Sequence, residues 1–176
     1  MELSFLYAIP RTQILDTVFL AITKISGSYG QLWAILGLLL LIPKKTRATG
    51  ITVLLSWAFA SIFGHFILKN LINRPRPCHI DQTFKLLVEV PAGTSFPSVH
   101  SFQAFAAATA IFMNNKKAGI AALVVAALIA FSRMYMFLHF PTDVLCGIVL
   151  GILIGIATVR LCDMIKRRSG RKGEQG

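Results

Sequence analysis

Three short stretches of this 176-residue chain hold side chains that do chemistry: Lys69, Arg74 and Arg76 in KNLINRPRP, Ser98 and His100 in FPSVHS, and Arg133, His139 and Asp143 in SRMYMFLHFPTDV. Guanidinium and ammonium groups hold the oxygens of a multiply charged oxyanion, phosphate above all. Pro97 and Ser98 open a predicted helix with Ser98 as its N-cap, which leaves the amides of Val99, His100 and Ser101 to face such an anion. His139 and Asp143, four residues apart, supply a base or nucleophile and a carboxylate that orients its ring. The set reads as phosphate binding plus a nucleophile. Which histidine attacks, His100 or His139, is open from the residues alone.

Each residue also has a plainer reading. Lys69, Arg74 and Arg76 fit cations that snorkel from a helix end to lipid head groups. Asp143 suits the first turn of any helix, His139 suits a membrane interface, and His100 a helix start. These plainer readings must coincide at six or more positions on one face, which favours a common site. His65 and His79 have no partner legible in the sequence and are read as structural.

The elements that must carry these residues are apolar. The chain is 55% hydrophobic with a mean hydropathy of +0.68, well above a soluble domain. Long apolar stretches run over 49–68, 98–113, 118–138 and 144–165, with a shorter one at 31–43. A weaker one at 3–26 is interrupted by Pro10, Arg11, Asp16 and Lys24, and either spans or lies in the interface. The reading is an all-α integral membrane bundle of six transmembrane helices. Residues 1–165 form a single domain with its motif core over 50–165, and 166–176 form a basic tail. No cleavable signal peptide is expected.

Charge orients the bundle. Basic residues gather at 44–47 (KKTR), at Lys116 and Lys117, and between Lys166 and Lys172. Short basic loops stay cytoplasmic, so the GSYG turn at 27–30, the segment from 69 to 97 and the active site face outward. Six crossings then put both termini in the cytoplasm of a multi-pass cell-membrane protein. The net charge of +11 points to anionic lipid rather than nucleic acid, because no soluble domain exists to hold the latter. Cys78, Cys146 and Cys162 form no CxxC pair, and their odd number argues against a disulfide framework or zinc site.

Lys69 followed after six residues by Arg76-Pro77, then Pro97-Ser98-Val99-His100, then Ser132-Arg133 with His139 and Asp143 beyond, resemble the three-part signature of the type 2 phosphatidic acid phosphatase (PAP2) family. The resemblance implies a six-helix membrane fold whose enzymes remove phosphate from lipid phosphates and diphosphates without a metal or cofactor. It implies that His139 attacks phosphorus, that Asp143 orients it and that His100 protonates the leaving oxygen. Lys69, Arg76, Ser98, Val99 and Arg133 would hold the phosphoryl oxygens. Val99 departs from the pattern, which has glycine there.

A metal-dependent phosphatase needs clustered carboxylates or histidines. The chain has seven acidic residues, of which Asp81, Glu89 and Asp143 fall on the active face. Undecaprenyl diphosphate is the expected substrate, ahead of phosphatidic acid or phosphatidylglycerol phosphate, with membrane lipids as surroundings and no protein partner required. A non-catalytic anionic-lipid binder explains the cations but gives His139 and Asp143 nothing to do. A phosphotransferase would use the same residues.

Overall fold

The computed structural model describes residues 2–28 and 30–173; Tyr29 of the expected outer turn and the last three residues of the expected tail lie outside the described residues. Among the described residues the regular structure is all helical, without strands. Helices α1 (Glu2–Tyr7) and α2 (Gln13–Ser26) precede α3 (Gln31–Leu41) and α4 (Arg47–Ile62). The last continues through a π-helical turn, Phe63–Leu68, into α5 (Lys69–Leu71). A short α6 (Pro77–Ile80) interrupts the outer segment before α7 (Val99–Asn114), α8 (Lys116–Tyr135) and α9 (Pro141–Gly173).

Local chemistry sets the boundaries. Thr12 caps α2 by accepting the Leu15 amide at 3.2 Å, and Asn115 caps α8 by accepting the Ala118 amide at 3.1 Å. Pro141 begins α9, where its missing N–H is no loss. Three segments are long and apolar enough to cross a membrane: Arg47–Leu71, Lys116–Tyr135 and Pro141–Ser169. Helix α3 is apolar but shorter. Helix α7 lies in the middle of the bundle, with most of its residues from Val99 to Ile111 buried.

The α7–α9 seam is built on backbone. A Cβ at Gly147, Gly151 or Gly155 would stand 2.6, 2.6 and 2.7 Å from the carbonyl oxygens of Ser98, Phe102 and Ala106 respectively. Glycine at every fourth position lets two backbones meet as closely as lipid-embedded helices can. The matching order of these contacts makes α7 and α9 parallel. Helix α4 runs the other way: its Thr52 hydroxyl accepts from Asn114 at the end of α7 (3.2 Å), and its Gly64 faces Val99 at the beginning. The basic groups at 44–47, 116–117 and 166–168 are therefore at the end of the bundle opposite Val99 and His139.

The opening residues correct two expectations. The stretch 3–26 is not one spanning helix, because it breaks around Pro10. Both ends of α2 meet the His139 end of the bundle. Asp16 accepts from Tyr135 Oη at 2.6 Å, while Ser26 Oγ lies 3.4 Å from Arg133 Nη2 and the Gly27 carbonyl meets His100. Helix α2 thus lies across that end, leaving α3, α4, α7, α8 and α9 running along the bundle. Glu2 accepts from the Thr142 amide at 3.1 Å, and α9 carries the chain away from there for 33 residues. The described ends of the chain are therefore at opposite ends of the bundle, and the expectation of both termini on one face fails. Hydropathy records how apolar a stretch is, not whether it stands upright or lies flat.

Candidate active site

A cavity of about 890 Å³ opens at this end, and Lys69, Arg76, Val99, His100, Arg133 and His139 all line it. The three motifs that converged on paper converge in space. Lys69 arrives from the π-helical end of α4, a distortion that often marks functional sites. Arg76 stands in extended backbone as the N-cap of α6. Arg133 sits in the last turn of α8, buried and bonded through Nε to Ser132 Oγ at 3.1 Å.

The connector from α8 to α9 holds His139 by a backbone device. Phe137 adopts φ +58, a left-handed conformation uncommon for a residue with a bulky side chain, and its ring stacks on Phe84 at 4.0 Å. The turn sends the amides of Leu138 and His139 back to the Arg133 carbonyl at 3.1 and 3.3 Å. His139 is buried at 3% exposure, and its two ring nitrogens face different groups. Nε2 is 3.1 Å from Arg76 Nη1, and Nδ1 is 3.8 Å from Asp143 Oδ2. Because a guanidinium only donates, Nε2 is the acceptor and Nδ1 carries the proton. The 3.8 Å separation is too long for a hydrogen bond, and Nδ1 has no hydrogen-bond partner among the described residues. Burial holds the basicity of this imidazole down, to about 4, against the raising influence of Asp143.

Asp143 lies behind His139, with no exposed surface. Its Oδ1 accepts from Arg74 Nη1 at 2.7 Å, and its Oδ2 from Ser95 Oγ at 2.5 Å and the Phe140 amide at 2.8 Å. Its carbonyl accepts the Ser98 amide at 3.1 Å, tying the start of α9 to the start of α7.

At the start of α7 the first helical hydrogen bond runs from the Phe102 amide to the Ser98 carbonyl at 3.0 Å, so the amides of Val99, His100 and Ser101 have no partner within the helix. Ser98 occupies the N-cap position but makes no side-chain cap: its Oγ pairs with Ser101 Oγ at 2.9 Å, fully buried. The hydroxyl is not among the groups lining the cavity. Val99 has room because Gly64 faces it; a Cβ at Gly64 would stand 3.0 Å from a Val99 methyl. His100 Nε2 is 2.9 Å from the Gly27 carbonyl, which only accepts, so Nε2 carries a proton and Nδ1 is the nitrogen left for other work. Gly27 itself has φ +73.

His65, read as structural from sequence, lines the cavity, as do Lys24 and Glu89. His79 lines a separate pocket with Cys78. Arg74, counted with the phosphate-binding cations, does not line the cavity. All three cysteines are free.

A family model described as the PAP2 superfamily matches residues 49–167. The chain belongs to the PAP2 superfamily. This PAP2 chain is 31% identical over 138 residues to an undecaprenyl-diphosphatase of Sulfolobus acidocaldarius, an alignment covering 77% of the chain and 66% of that protein. It is 31% identical over 107 residues to undecaprenyl-diphosphatase BcrC of Bacillus subtilis, covering 61% and 55%. It therefore spans somewhat under two thirds of the length of these curated relatives. The crystal structure of a transmembrane PAP2-type phosphatidylglycerolphosphate phosphatase from Bacillus subtilis superposes with a TM-score of 0.73 at 30% identity, covering 94% of this chain and 85% of that one.

Proposed function

We propose that this protein is a membrane lipid phosphatase that hydrolyses undecaprenyl diphosphate to undecaprenyl phosphate, without a metal, through a phosphohistidine on His139. One observation carries the reading. His139 lines a cavity with Lys69, Arg76 and Arg133; its nitrogen without a proton faces the Arg76 guanidinium, while the nitrogen with one faces buried Asp143. That division of a ring suits a nucleophile with an orienting carboxylate.

Nε2 attacks the terminal phosphorus; a P–N bond forms as the P–O bond to undecaprenyl phosphate breaks, and that oxygen leaves with the electron pair. Asp143 stabilises the charge that develops on the ring through Nδ1–H. Lys69, Arg76, Arg133 and the first amides of α7, that of Val99 included, hold the equatorial oxygens and supply the positive charge that a metal ion supplies elsewhere. Ser98 contributes by shaping this turn. His100 holds its proton on Nε2, so its Nδ1 can take a proton from the bound phosphate and pass it to a leaving oxygen that needs one. Water then attacks the phosphohistidine and gives its proton to His100 Nδ1, the P–N bond breaks with its electron pair returning to His139 Nε2, and inorganic phosphate leaves.

Positive-inside orientation puts the basic end in the cytoplasm and the cavity on the extracytoplasmic face, together with residue 2. Residues 1–165 then act as the single catalytic domain and the tail from 166 as a cytoplasmic anchor on anionic lipid.

The test is phosphate release by the purified protein from undecaprenyl diphosphate, phosphatidic acid and phosphatidylglycerol phosphate side by side. Undecaprenyl diphosphate is expected to be fastest, with activity surviving EDTA, blocked by vanadate and absent in His139→Ala. Loss in EDTA with rescue by Mg²⁺ overturns the mechanism. A preference for phosphatidylglycerol phosphate, the second reading that the Bacillus subtilis structure favours, overturns the substrate.

A further inference from the structure

Arg74 lies outside the cavity, yet it holds the most buried charge of the site. Its Nη1 donates to Asp143 Oδ1 and to Thr142 Oγ1, both at 2.7 Å, and its Nη2 pairs with Glu2. Its guanidinium stacks on the Phe140 ring, 4.0 Å from the centroid, and the amide of that same residue binds the other oxygen of Asp143. Ser95 completes the arrangement: its hydroxyl binds Asp143 Oδ2 while its amide donates to the Arg74 carbonyl at 2.8 Å. The two residues are joined by backbone and grip opposite oxygens of one carboxylate.

We propose that Arg74 and Ser95 are positioning residues that fix the Asp143 carboxylate for His139 during phosphoryl transfer. This rests on the phosphohistidine reading above. With both oxygens of Asp143 engaged, the carboxylate cannot swing toward the ring, so the 3.8 Å gap to Nδ1 closes by movement of His139. Arg76 occupies Nε2 until phosphate draws it away, and the freed ring then meets a carboxylate already aimed. Arg74 is not a phosphate ligand, because both of its terminal nitrogens are engaged away from the cavity. Its charge also compensates a carboxylate with no exposed surface, which is costly to leave unpaired.

The experiment compares Arg74→Gln, Arg74→Lys, Ser95→Ala and His139→Ala with the unmodified full-length protein in detergent. It measures kcat and KM for undecaprenyl diphosphate and vanadate protection against thermal unfolding. Groups that orient a reacting residue are worth roughly 10- to 100-fold. Arg74→Gln and Ser95→Ala are expected to lose kcat on that order, with KM changed less than about threefold and vanadate protection retained. Arg74→Lys recovers part of the loss, since it restores charge without the fork. Where Arg74→Gln does not fold, Ser95→Ala, which removes only a hydroxyl, and Arg74→Lys decide the matter. A kcat within about twofold of the unmodified protein in both of these, or a loss confined to KM, overturns the proposal. A His139→Ala variant with undiminished activity overturns the phosphohistidine reading instead.

Discussion

Arg76 donates to the Nε2 atom of His139 at 3.1 Å and to the Leu138 carbonyl, also at 3.1 Å, so the proposed nucleophile is covered by one of the cations of its own cavity. An incoming phosphate offers that guanidinium a stronger acceptor, and the exchange uncovers Nε2. Substrate binding and nucleophile release are then one event. Arg76→Ala is expected to lower kcat/KM by about 10²- to 10³-fold, the scale of a preorganised oxyanion donor. Arg76→Lys should recover little, because an ammonium is a single point of donation. Steady-state kinetics of both variants checks this; full recovery by lysine would reduce Arg76 to a diffuse charge.

His139 yields a pH prediction. Burial lowers its basicity below the ordinary imidazole value, to about 4. On the proposed mechanism the free enzyme keeps this nitrogen unprotonated down to that pH, and the acid limb of kcat/KM due to this group should fall near pH 4 rather than 6.5. Between those two values the unfolded chain binds a proton that the folded chain does not, so this residue makes stability rise with pH across that window and fall as the pH is lowered through it. Rate and melting profiles from pH 3.5 to 8 test both signs.

Asp143→Asn retains the shape of the carboxylate and removes its charge. A loss of about 10²- to 10⁴-fold in kcat is expected, on the scale of general acid–base assistance. Trapped phosphoenzyme, measured after acid-free quenching, should fall in proportion. Unchanged phosphoenzyme would show that Asp143 acts after the first step.

His100 connects mechanism to substrate. Phosphatidic acid leaves as an alkoxide that needs a proton, whereas undecaprenyl diphosphate leaves as a phosphate monoester, already a stable anion. His100→Ala should therefore damage phosphatidic acid hydrolysis far more than undecaprenyl diphosphate hydrolysis. Equal losses on both substrates would leave His100 as a phosphate ligand.

Val99 and Gly64 are complementary in volume, valine on α7 facing glycine in the π-helical turn that follows α4. Val99→Gly opens a void at a residue 2% exposed and adds a flexible position to the first turn of α7, so it should destabilise by on the order of 2 kcal/mol. Turnover should not rise. A gain of more than about tenfold, 1.4 kcal/mol in barrier, would show that valine impairs the site.

The sequence made part of the cavity wall legible, because Lys69, Arg76, Val99, His100, Arg133 and His139 sit at or beside helix ends, where chain topology alone decides which residues share a face. It did not disclose how Asp143 is held. Arg74 stands two residues from Arg76 with the same charge, and only three-dimensional packing turns one into the cavity and the other onto Asp143. Ser95 carried no signal, since a serine in a loop has no preferred partner. His65 was missed because one histidine in an apolar helix looks the same whether it faces lipid, core or cavity. Whether the α2 segment stands along the bundle or lies across its end was not legible, because composition does not encode tilt.

The glycines of α9 have a mechanical consequence. Gly147 lies one turn beyond Asp143, with its backbone against the Ser98 carbonyl, so the nucleophile's carboxylate and the amides of the first turn of α7 ride on two main chains locked together beneath them. Such a seam leaves no side chain to rotate and no slack to take up, and the two walls travel as one body. On the proposed substrate, whatever yields to a bulky prenyl tail is expected away from this seam, among α2 residues such as Leu20 and Lys24 and the loop residues Leu87, Val88 and Pro91 that also line the cavity. The door and the anvil belong to different parts of the chain, and a lipid can be admitted without disturbing the spacing on which the chemistry depends.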